Sequence, residues 1–268
     1  MRDPENLVLK RAMASSLTTL SNSLSQMGDY AGLLATRREA LKMQEEIVAS
    51  HPGGPADLRA LALALARMAS IEMHENLIKE SLGHYRRSLD IDQKLLQSDP
   101  GNVQFQLSVG WAHANYALIL ARMGKTFEAL EEYRVSRVLL QRVAQADPHD
   151  VRSRSLLETN RVRTAQALIS LGRAREALPF AQTALLGRLQ LSEHNRSNAG
   201  ALGEVAEAHA ALGQVYAALR QAAKAKEAFQ TAQHLLEDLI RAKRSNAAMK
   251  DNLIAVQKEL STLSKSSN

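Results

Sequence analysis

The sequence contains no cysteine among its 268 residues, which excludes disulfide bonds, thiolate metal sites and a cysteine nucleophile. Aromatic residues are scarce as well (4%), and there are only six prolines and thirteen glycines. No stretch approaches the ~20 apolar residues of a membrane span, and the first residues have no long apolar run that would indicate a signal peptide. We therefore expect no insertion into a membrane and a cytoplasmic location.

Charge of one sign does not dominate, since the formal net charge of +6 is small for this length. Acidic and basic residues are interleaved, as in the stretch EEYRVSR at 131–137, and this is typical of a solvated helix face. Nucleic-acid binding would require clustered lysine and arginine with stacking aromatic residues, so we expect no nucleic-acid partner. The HExxH, GxGxxG, phosphate-loop and GxSxG motifs are missing too. We therefore predict no cofactor, no metal, no catalytic residues and no enzymatic activity.

What the sequence does contain is a repeat of 48 residues. Prolines recur at this step, and so do asparagines and a set of small residues. The prolines are Pro4, Pro52, Pro100 and Pro148. The asparagines are Asn6, Asn102, Asn198 and Asn246, and the small residues are Ser21, Ala69, Ala117, Ala165, Gly213 and Ser261. A fixed period of this length predicts a stack of structural repeats, and such stacks build extended binding surfaces.

Each repeat contains two predicted helices separated by a short break. In the third repeat the helices cover 103–123 and 125–146, and Gly124 separates them. Glycine or asparagine stands at this place in the first four repeats, and both tolerate the left-handed conformation that ends a helix. The pattern predicts a single solenoid over 1–268 with five helical hairpins and a final capping helix. The hairpins cover about 5–51, 53–99, 101–147, 149–195 and 197–243, and the capping helix covers about 246–264.

The spacing inside each repeat resembles that of the tetratricopeptide repeat, or TPR. The fifth repeat has His209-x2-Leu212-Gly213-x2-Tyr216 followed by Ala225-x3-Phe229, and the third has His113-x2-Tyr116-Ala117-x2-Leu120 followed by Ala129-x3-Tyr133. The resemblance covers essentially the whole chain, although Arg37 and Ala181 replace the aromatic residue of the second helix. The period also exceeds the usual 34 residues. The resemblance implies an all-α, right-handed TPR-like α-solenoid with long helices, whose first helices line a concave groove.

The resemblance also implies which residues would contact a partner. Two polar columns would face the groove, one with Arg67, Asn115 and Arg163 and the other with Asn22, Gln166 and Gln214. Such side chains would hold the carboxylates and the backbone of a peptide, or they would belong to a solvated wall with local ion pairs. Thr18 stands where the lysine of the chaperone-binding carboxylate clamp would be, so we do not expect a chaperone tail as the partner.

Two further features allow two interpretations each. Trp111, the only tryptophan, is either an exposed anchor for a partner or a side chain packed onto a neighbouring helix. Glu72 and Glu75 interrupt apolar columns, with His74 between them. They would form a weak metal or cationic-partner site, or they would pair with nearby arginines such as Arg37, Arg38 or Arg86, and the ion pairs are the favoured interpretation.

We predict that the protein is an interaction scaffold that binds a peptide or protein partner in the concave groove. The predicted partner-binding residues are Arg67, Trp111, Asn115, Arg163, Asn22, Gln166 and Gln214. One alternative is a regulatory or sensor segment of a larger signalling protein, because arrays resembling this one occur beside bacterial serine/threonine kinase domains. Another is self-association, with a homodimer formed through the open N-terminal end.

Overall fold

The computed structural model describes residues 4–52, 54–193 and 197–266, and these residues form eleven α-helices and no strand. The helices are α1 Pro4–Met27, α2 Tyr30–Ser50, α3 Pro55–His74, α4 Ile78–Ser98, α5 Val103–Arg122, α6 Thr126–Ala146, α7 Val151–Ser170, α8 Ala174–Glu193, α9 Ala199–Ala218, α10 Ala222–Arg241 and α11 Ala247–Ser266. The predicted all-α class is confirmed. None of the helices in this described part is long and apolar enough to cross a membrane. The predicted boundary residues 53 and 195 lie outside the described residues.

The chain divides into two compact units, Met1–Leu139 and Leu140–Asn268. Unit 1 contains α1 to α5 and the beginning of α6. Unit 2 contains the end of α6 and the helices α7 to α11. The prediction of one continuous solenoid over 1–268 stays a prediction.

Three of the four repeated asparagines, Asn102, Asn198 and Asn246, stand immediately before a helix. The Asn102 side chain accepts hydrogen bonds from the backbone N–H groups of Gln104 and Phe105, at 3.1 and 3.2 Å. Asn198 caps α9 in the same way, at 2.9 and 3.2 Å. An N-cap side chain satisfies N–H groups that have no partner inside the helix, and this stabilises a helix by about 1 kcal/mol. Asn6 lies inside α1, which begins earlier, at Pro4.

The five hairpin turns share one conformation. Gly124 has φ +78°, and its N–H donates to Ala121 O (3.0 Å), while the next N–H, of Lys125, donates to Leu120 O (2.9 Å). These are the two bonds of a Schellman motif, which requires a left-handed residue after the helix. Arg220 adopts this conformation in the fifth repeat, with φ 59°. Lys243 also adopts it, with φ 56°, between α10 and α11, and the sequence did not predict this sixth turn.

The recurring small residues of the five hairpins are all buried. Ser21, Ala69, Ala117 and Ala165 are at most 1% exposed. The Ser81 hydroxyl of α4 donates to the backbone carbonyl of Ala69 at 2.8 Å. At Gly213, a Cβ atom would lie 2.8 Å from the Phe229 ring, so no side chain fits there without displacement.

First helices of neighbouring hairpins also contact one another inside each unit. In unit 1, α3 contacts α5; in unit 2, α7 contacts α9 and α9 contacts α11. The second helices pack behind them, and leucine and other apolar side chains fill the interfaces. In unit 2 one such cluster joins α9, α10 and α11 through Ala206, Leu236, Leu239 and Met249.

Candidate functional site

Unit 2 carries a cleft of about 360 Å³ between its first helices, which we call the unit-2 groove. Residues of α7, α9 and α11 line it, together with Asn246, which caps α11. The lining residues are Gln166, Gly200, Gly203, Glu204, Glu207, Ala210, Gln214, Asn246, Ala248, Met249 and Asn252. Amides and two carboxylates form its polar part, and Ala210 and Met249 form much of its apolar part.

Two of the predicted partner-binding residues meet in this groove. The Gln166 side chain of α7 is exposed, and its Nε2 donates to Oε1 of Gln214 on α9 at 3.5 Å. The two glutamines are one repeat apart in the sequence, so the contact between adjacent first helices brings them together. The bond is long for an N–H···O bond. The pair still presents a carbonyl oxygen on Gln166 and an amide N–H on Gln214.

A buried arginine holds one carboxylate of the unit-2 groove in place. Arg188 of α8 is only 2% exposed. Its Nη1 donates to Glu204 (2.5 Å) and to the Ser155 hydroxyl (2.7 Å), and its Nη2 donates to the Thr159 hydroxyl (2.5 Å). Arg188 thereby links α7, α8 and α9. Glu204 itself is 41% exposed at the groove, so it can face a ligand while its orientation is fixed from behind.

The sequence did not predict this network, although it carries a signal for it. Arg188 falls at the repeat position of Leu140 and Leu236, both of which are fully buried. An arginine at a position that is leucine in other repeats indicates either a buried ion pair or a surface that differs locally. Glu72 likewise stands at a repeat position that is occupied by apolar residues in the other repeats.

Unit 1 carries a second cleft, of about 270 Å³, between α1, α2 and α3, which we call the unit-1 groove. Its lining residues are Arg11, Ala14, Ser15, Thr18, Ala40, Gln44, Ala60, Leu63, Ala64 and Arg67. Arg11 is neutralised, because its Nε and Nη2 donate to the Asp57 carboxylate at 3.0 and 2.6 Å. Arg67, a predicted partner-binding residue, is half-buried, and burial lowers its pKa.

The other predicted contact residues lie in different environments. Trp111 of α5 is half-buried and packs against the cluster that contains Ala66, Ala69 and Tyr85, which favours the packing interpretation of this tryptophan. Asn115 is buried in α5, Asn22 is exposed on α1 and Arg163 is half-buried on α7. Their roles in partner binding stay predictions.

Among the described residues, Glu72 and Glu75 pair with histidines and not with arginines. Glu72 is 4% exposed, and its Oε2 lies 2.7 Å from Nδ1 of His84 on α4. Glu75 contacts the adjacent His74 at 3.2 Å. The expected partners Arg37, Arg38 and Arg86 were therefore wrong: His84 on α4 lies within hydrogen-bond distance of the end of α3 and supplies the polar group that the buried carboxylate needs. Across the described residues, no group of three or more His, Asp or Glu side chains could hold a metal ion.

No family model matches this sequence, and no curated protein matches it. Solved structures match its fold. BtubC (BKLC) from P. vanneervenii is similar with a TM-score of 0.58 and 16% identity over 87% of this chain and 84% of that one. A putative kinesin light chain from Podosopora anserina with nearly identical TPR-like repeats has a TM-score of 0.56 and 16% identity over 91% and 100%. The apo form of RapI has a TM-score of 0.59 and 10% identity over 93% and 83%.

These likenesses, together with the repeated hairpins, define the class of the protein. It is an all-α protein with a TPR-like helical-repeat fold, as its sequence resemblance implied. The departure from the usual period is explained by the helices, which are 20 to 24 residues long and lie close to the length that the 48-residue repeat predicts.

Proposed function

We propose that the protein is an interaction scaffold and that it binds an extended segment of a protein or peptide partner in the unit-2 groove. The observation that carries the proposal is the contact between Gln166 and Gln214. The pair offers one carbonyl acceptor and one amide donor, and an extended peptide bond presents the complementary N–H and C=O. The Gln–Gln bond is long and partly solvated, so replacing it with bonds to a peptide costs little.

The surroundings of this pair support the same proposal. Met249 is seated against Gly203, where a Cβ atom would lie 2.4 Å from the methionine methyl group. This contact forms an apolar surface beside the polar amides. A groove that combines apolar and polar groups can bind a side chain of a partner and orient its backbone. The helices around it are already packed, so little conformational entropy is lost on the scaffold side when a partner binds. We propose Arg163, which is half-buried on α7 of the same unit, as a further contact.

The proposal can be tested with a matched pair of double variants. Gln166→Ala/Gln214→Ala removes the groove amides. Gln182→Ala/Gln230→Ala removes two glutamines with the same 48-residue spacing from exposed positions on α8 and α10. Both variants are first compared with the natural chain by circular dichroism and then screened on a random peptide array, with affinities measured by calorimetry.

We expect Gln166→Ala/Gln214→Ala to bind the peptides of the natural chain at least tenfold more weakly. The control, Gln182→Ala/Gln230→Ala, should bind them with unchanged affinity. Equal binding by both variants would place the partner elsewhere on the molecule. Absence of any peptide ligand for the natural chain would reject the peptide-binding proposal.

Self-association is a second candidate function, and the outer face of α1 favours it. Leu9, Met13, Leu20 and Met27 are 45% to 72% exposed, and at about 100° per residue they lie within about 40° of one another around the helix axis. Exposed apolar rows of this kind mark interaction surfaces. The mass measured by analytical ultracentrifugation should then rise with concentration, and Leu20→Glu should keep the chain monomeric. The regulatory-segment alternative stays a prediction.

A further inference from the structure

A histidine recurs at one repeat position, as His113 in the third repeat and His209 in the fifth. In the third repeat both ring nitrogens have partners. Nδ1 of His113 lies 2.5 Å from Oε2 of Glu132 on α6, and Nε2 lies 3.3 Å from Nε2 of Gln93 on α4. His113 is only 8% exposed. A carboxylate and an amide from the two adjacent second helices therefore satisfy a buried histidine at this position.

The fifth repeat lacks both of these partners. Ala228 stands where the third repeat has Glu132, and Leu189 stands where it has Gln93. His209 is half-buried, and its ring makes no hydrogen bond with the residues that the structure describes. Burial lowers the pKa of His209, so its imidazole is neutral at pH 7. The ring thus keeps one N–H donor that is free for a ligand.

A cleft of about 330 Å³ lies beside His209, between α8, α9 and α10, and we call it the α8–α10 cleft. Ala228 and His209 both line it. The short alanine side chain leaves open the space that a glutamate occupies in the third repeat. A cleft of this volume suits a small molecule.

The α8–α10 cleft is separate from the unit-2 groove, although α9 contributes to both. Gly203 and Ala210 line the groove, whereas Leu212 and Tyr216 line the cleft. At about 100° per residue, the two pairs lie on opposite faces of α9. A ligand in the cleft would therefore leave the groove amides accessible.

The cleft combines a cation with an apolar wall. Nζ of Lys224 lies 5.5 Å from the centroid of the Tyr216 ring, and this contact holds the ammonium group at the cleft. Lys224 forms no ion pair within the described part of the chain. Leu185 and Leu212 supply the apolar wall. Glu227 also lines the cleft, but it is exposed, and solvent screens its charge.

We infer that the α8–α10 cleft binds a small organic carboxylate with an apolar body, and that its carboxylate takes the place of the Glu132 side chain of the third repeat. The carboxylate accepts hydrogen bonds from the His209 ring and the Lys224 ammonium group. The apolar body packs against Leu185 and Leu212. This site is additional to the proposed scaffold function and does not depend on it.

The test uses four single variants of the full chain. Ala228→Glu installs the carboxylate of the third repeat, and His209→Leu installs the residue of the second repeat, Leu65. Lys224→Gln removes the cation, and Lys226→Gln makes the same change at an exposed neighbour on α10. Octanoate and phenylacetate are the probes, each compared with its uncharged amide. Binding is measured by calorimetry and by the shift of the thermal midpoint.

We expect both acids to bind the natural chain and Lys226→Gln with equal affinity. His209→Leu and Lys224→Gln should bind them at least about tenfold more weakly, since each loses one charge-assisted hydrogen bond. The amides should bind the natural chain more weakly by a similar factor.

Ala228→Glu should bind neither acid, because its own carboxylate fills the site. Without ligand, this variant should melt at a higher temperature than the natural chain, since His209 gains the partner that His113 has. This rise also shows that the variant is folded.

Three outcomes would overturn the proposal. The first is equal binding of the acids to the natural chain, to Ala228→Glu and to His209→Leu, which would place the ligand elsewhere. The second is equal affinity for the acids and their amides, which would show that the cleft does not recognise a carboxylate. The third is the absence of binding of either acid to the natural chain at millimolar concentration.

Discussion

Units 1 and 2 place opposite charges at one repeat position, and the two charges have very different surroundings. Asp92 of α4 and Arg188 of α8 lie two repeats apart in a column that also contains Gln44, Leu140 and Leu236. Both charged side chains are buried, at 4% and 2% exposure. Arg188 donates three hydrogen bonds to residues of the first helices. Asp92 receives none from the described residues, although the charge of Arg59 favours its ionised form.

The titration of Asp92 follows from this difference. Burial raises the pKa of Asp92 from 3.8 to about 7, and Arg59 offsets only part of the increase. A buried charge is therefore well accommodated where neighbouring first helices supply polar partners, as Ser155, Thr159 and Glu204 do for Arg188. The repeat fixes where a side chain points, and the neighbouring repeats determine whether a charge is stable there.

The largest expected effect on the free energy of unfolding comes from Asp92→Asn, because asparagine is a neutral side chain of nearly the same shape as the protonated aspartic acid. The folded pKa lies above the unfolded one, so the free energy of unfolding falls as pH rises from about 4 to about 7, and the loss is complete above pH 7. A folded-state pKa of about 7 corresponds to a loss of at most about 4 kcal/mol in the free energy of unfolding. Urea unfolding should show that Asp92→Asn is more stable at pH 8 and unchanged at pH 4. The exposed Asp90→Asn should show neither effect, and a gain at both pH values would contradict the assignment.

Arg188→Ala should have the next largest effect, and it should lower the free energy of unfolding. It removes three hydrogen bonds and leaves a cavity, for which we expect a loss of about 3 kcal/mol. Arg188→Leu, the residue of the equivalent positions, should lose about half as much, because it refills the space while Glu204 can turn to solvent. Urea unfolding of the full chain measures the loss of stability in both variants, and hydrogen exchange in α8 shows where the stability is lost. The exposed Arg175→Ala serves as the control, and a loss no larger than that control would contradict the network.

The small-residue column tests whether both units are equally tight inside their hairpins. Ala69→Leu in unit 1 and Ala165→Leu in unit 2 each enlarge a fully buried side chain, and overpacking should cost about 1–3 kcal/mol in either. Thermal melting of the two variants gives the comparison directly. Ala223→Leu, at an exposed site on α10, should be within about 0.5 kcal/mol of the natural chain.

Substitutions at the hairpin turns are expected to change the free energy of unfolding least. Arg220 in unit 2 and Asn76 in unit 1 both have φ near 60°, but asparagine tolerates this conformation better than arginine. Arg220→Gly should therefore stabilise the protein by about 0.5–1 kcal/mol, while Asn76→Gly should change it little. Chemical denaturation at pH 7 resolves such a difference, and an equal gain at both turns would show that the residue type does not matter here.

The sequence predicted the helices, their turns and the small-residue contacts because a period of 48 residues superimposes several copies of each signal. A capping asparagine or a turn glycine is weak evidence once and strong evidence when it returns in phase. The turn at Lys243 was missed because it joins α10 to the last helix, outside the hairpin pattern, and because lysine rarely adopts a positive φ.

The side-chain contacts between helices were harder to predict from the sequence. The column comparison found Glu72 as a buried acid but assigned arginines to it, whereas His84, 12 residues later in the sequence, is its partner. The sequence likewise marked Arg37 as a departure from the aromatic pattern without indicating that its guanidinium group donates to the backbone carbonyl of Arg67. Contacts between helices depend on rotation about the helix axes, which the spacing of residues does not determine to within one side chain.

The N-caps and Schellman turns have a consequence for how such a chain can change in length. The second, third and fourth repeats each carry an end signal between their helices, and Asn102, Asp150 and Asn198 supply the next start signal, so a 48-residue segment is a complete module. Duplication or deletion of one module in register would leave every remaining helix with its own cap and turn. Such a change would then alter the number of repeats while leaving the remaining helices intact.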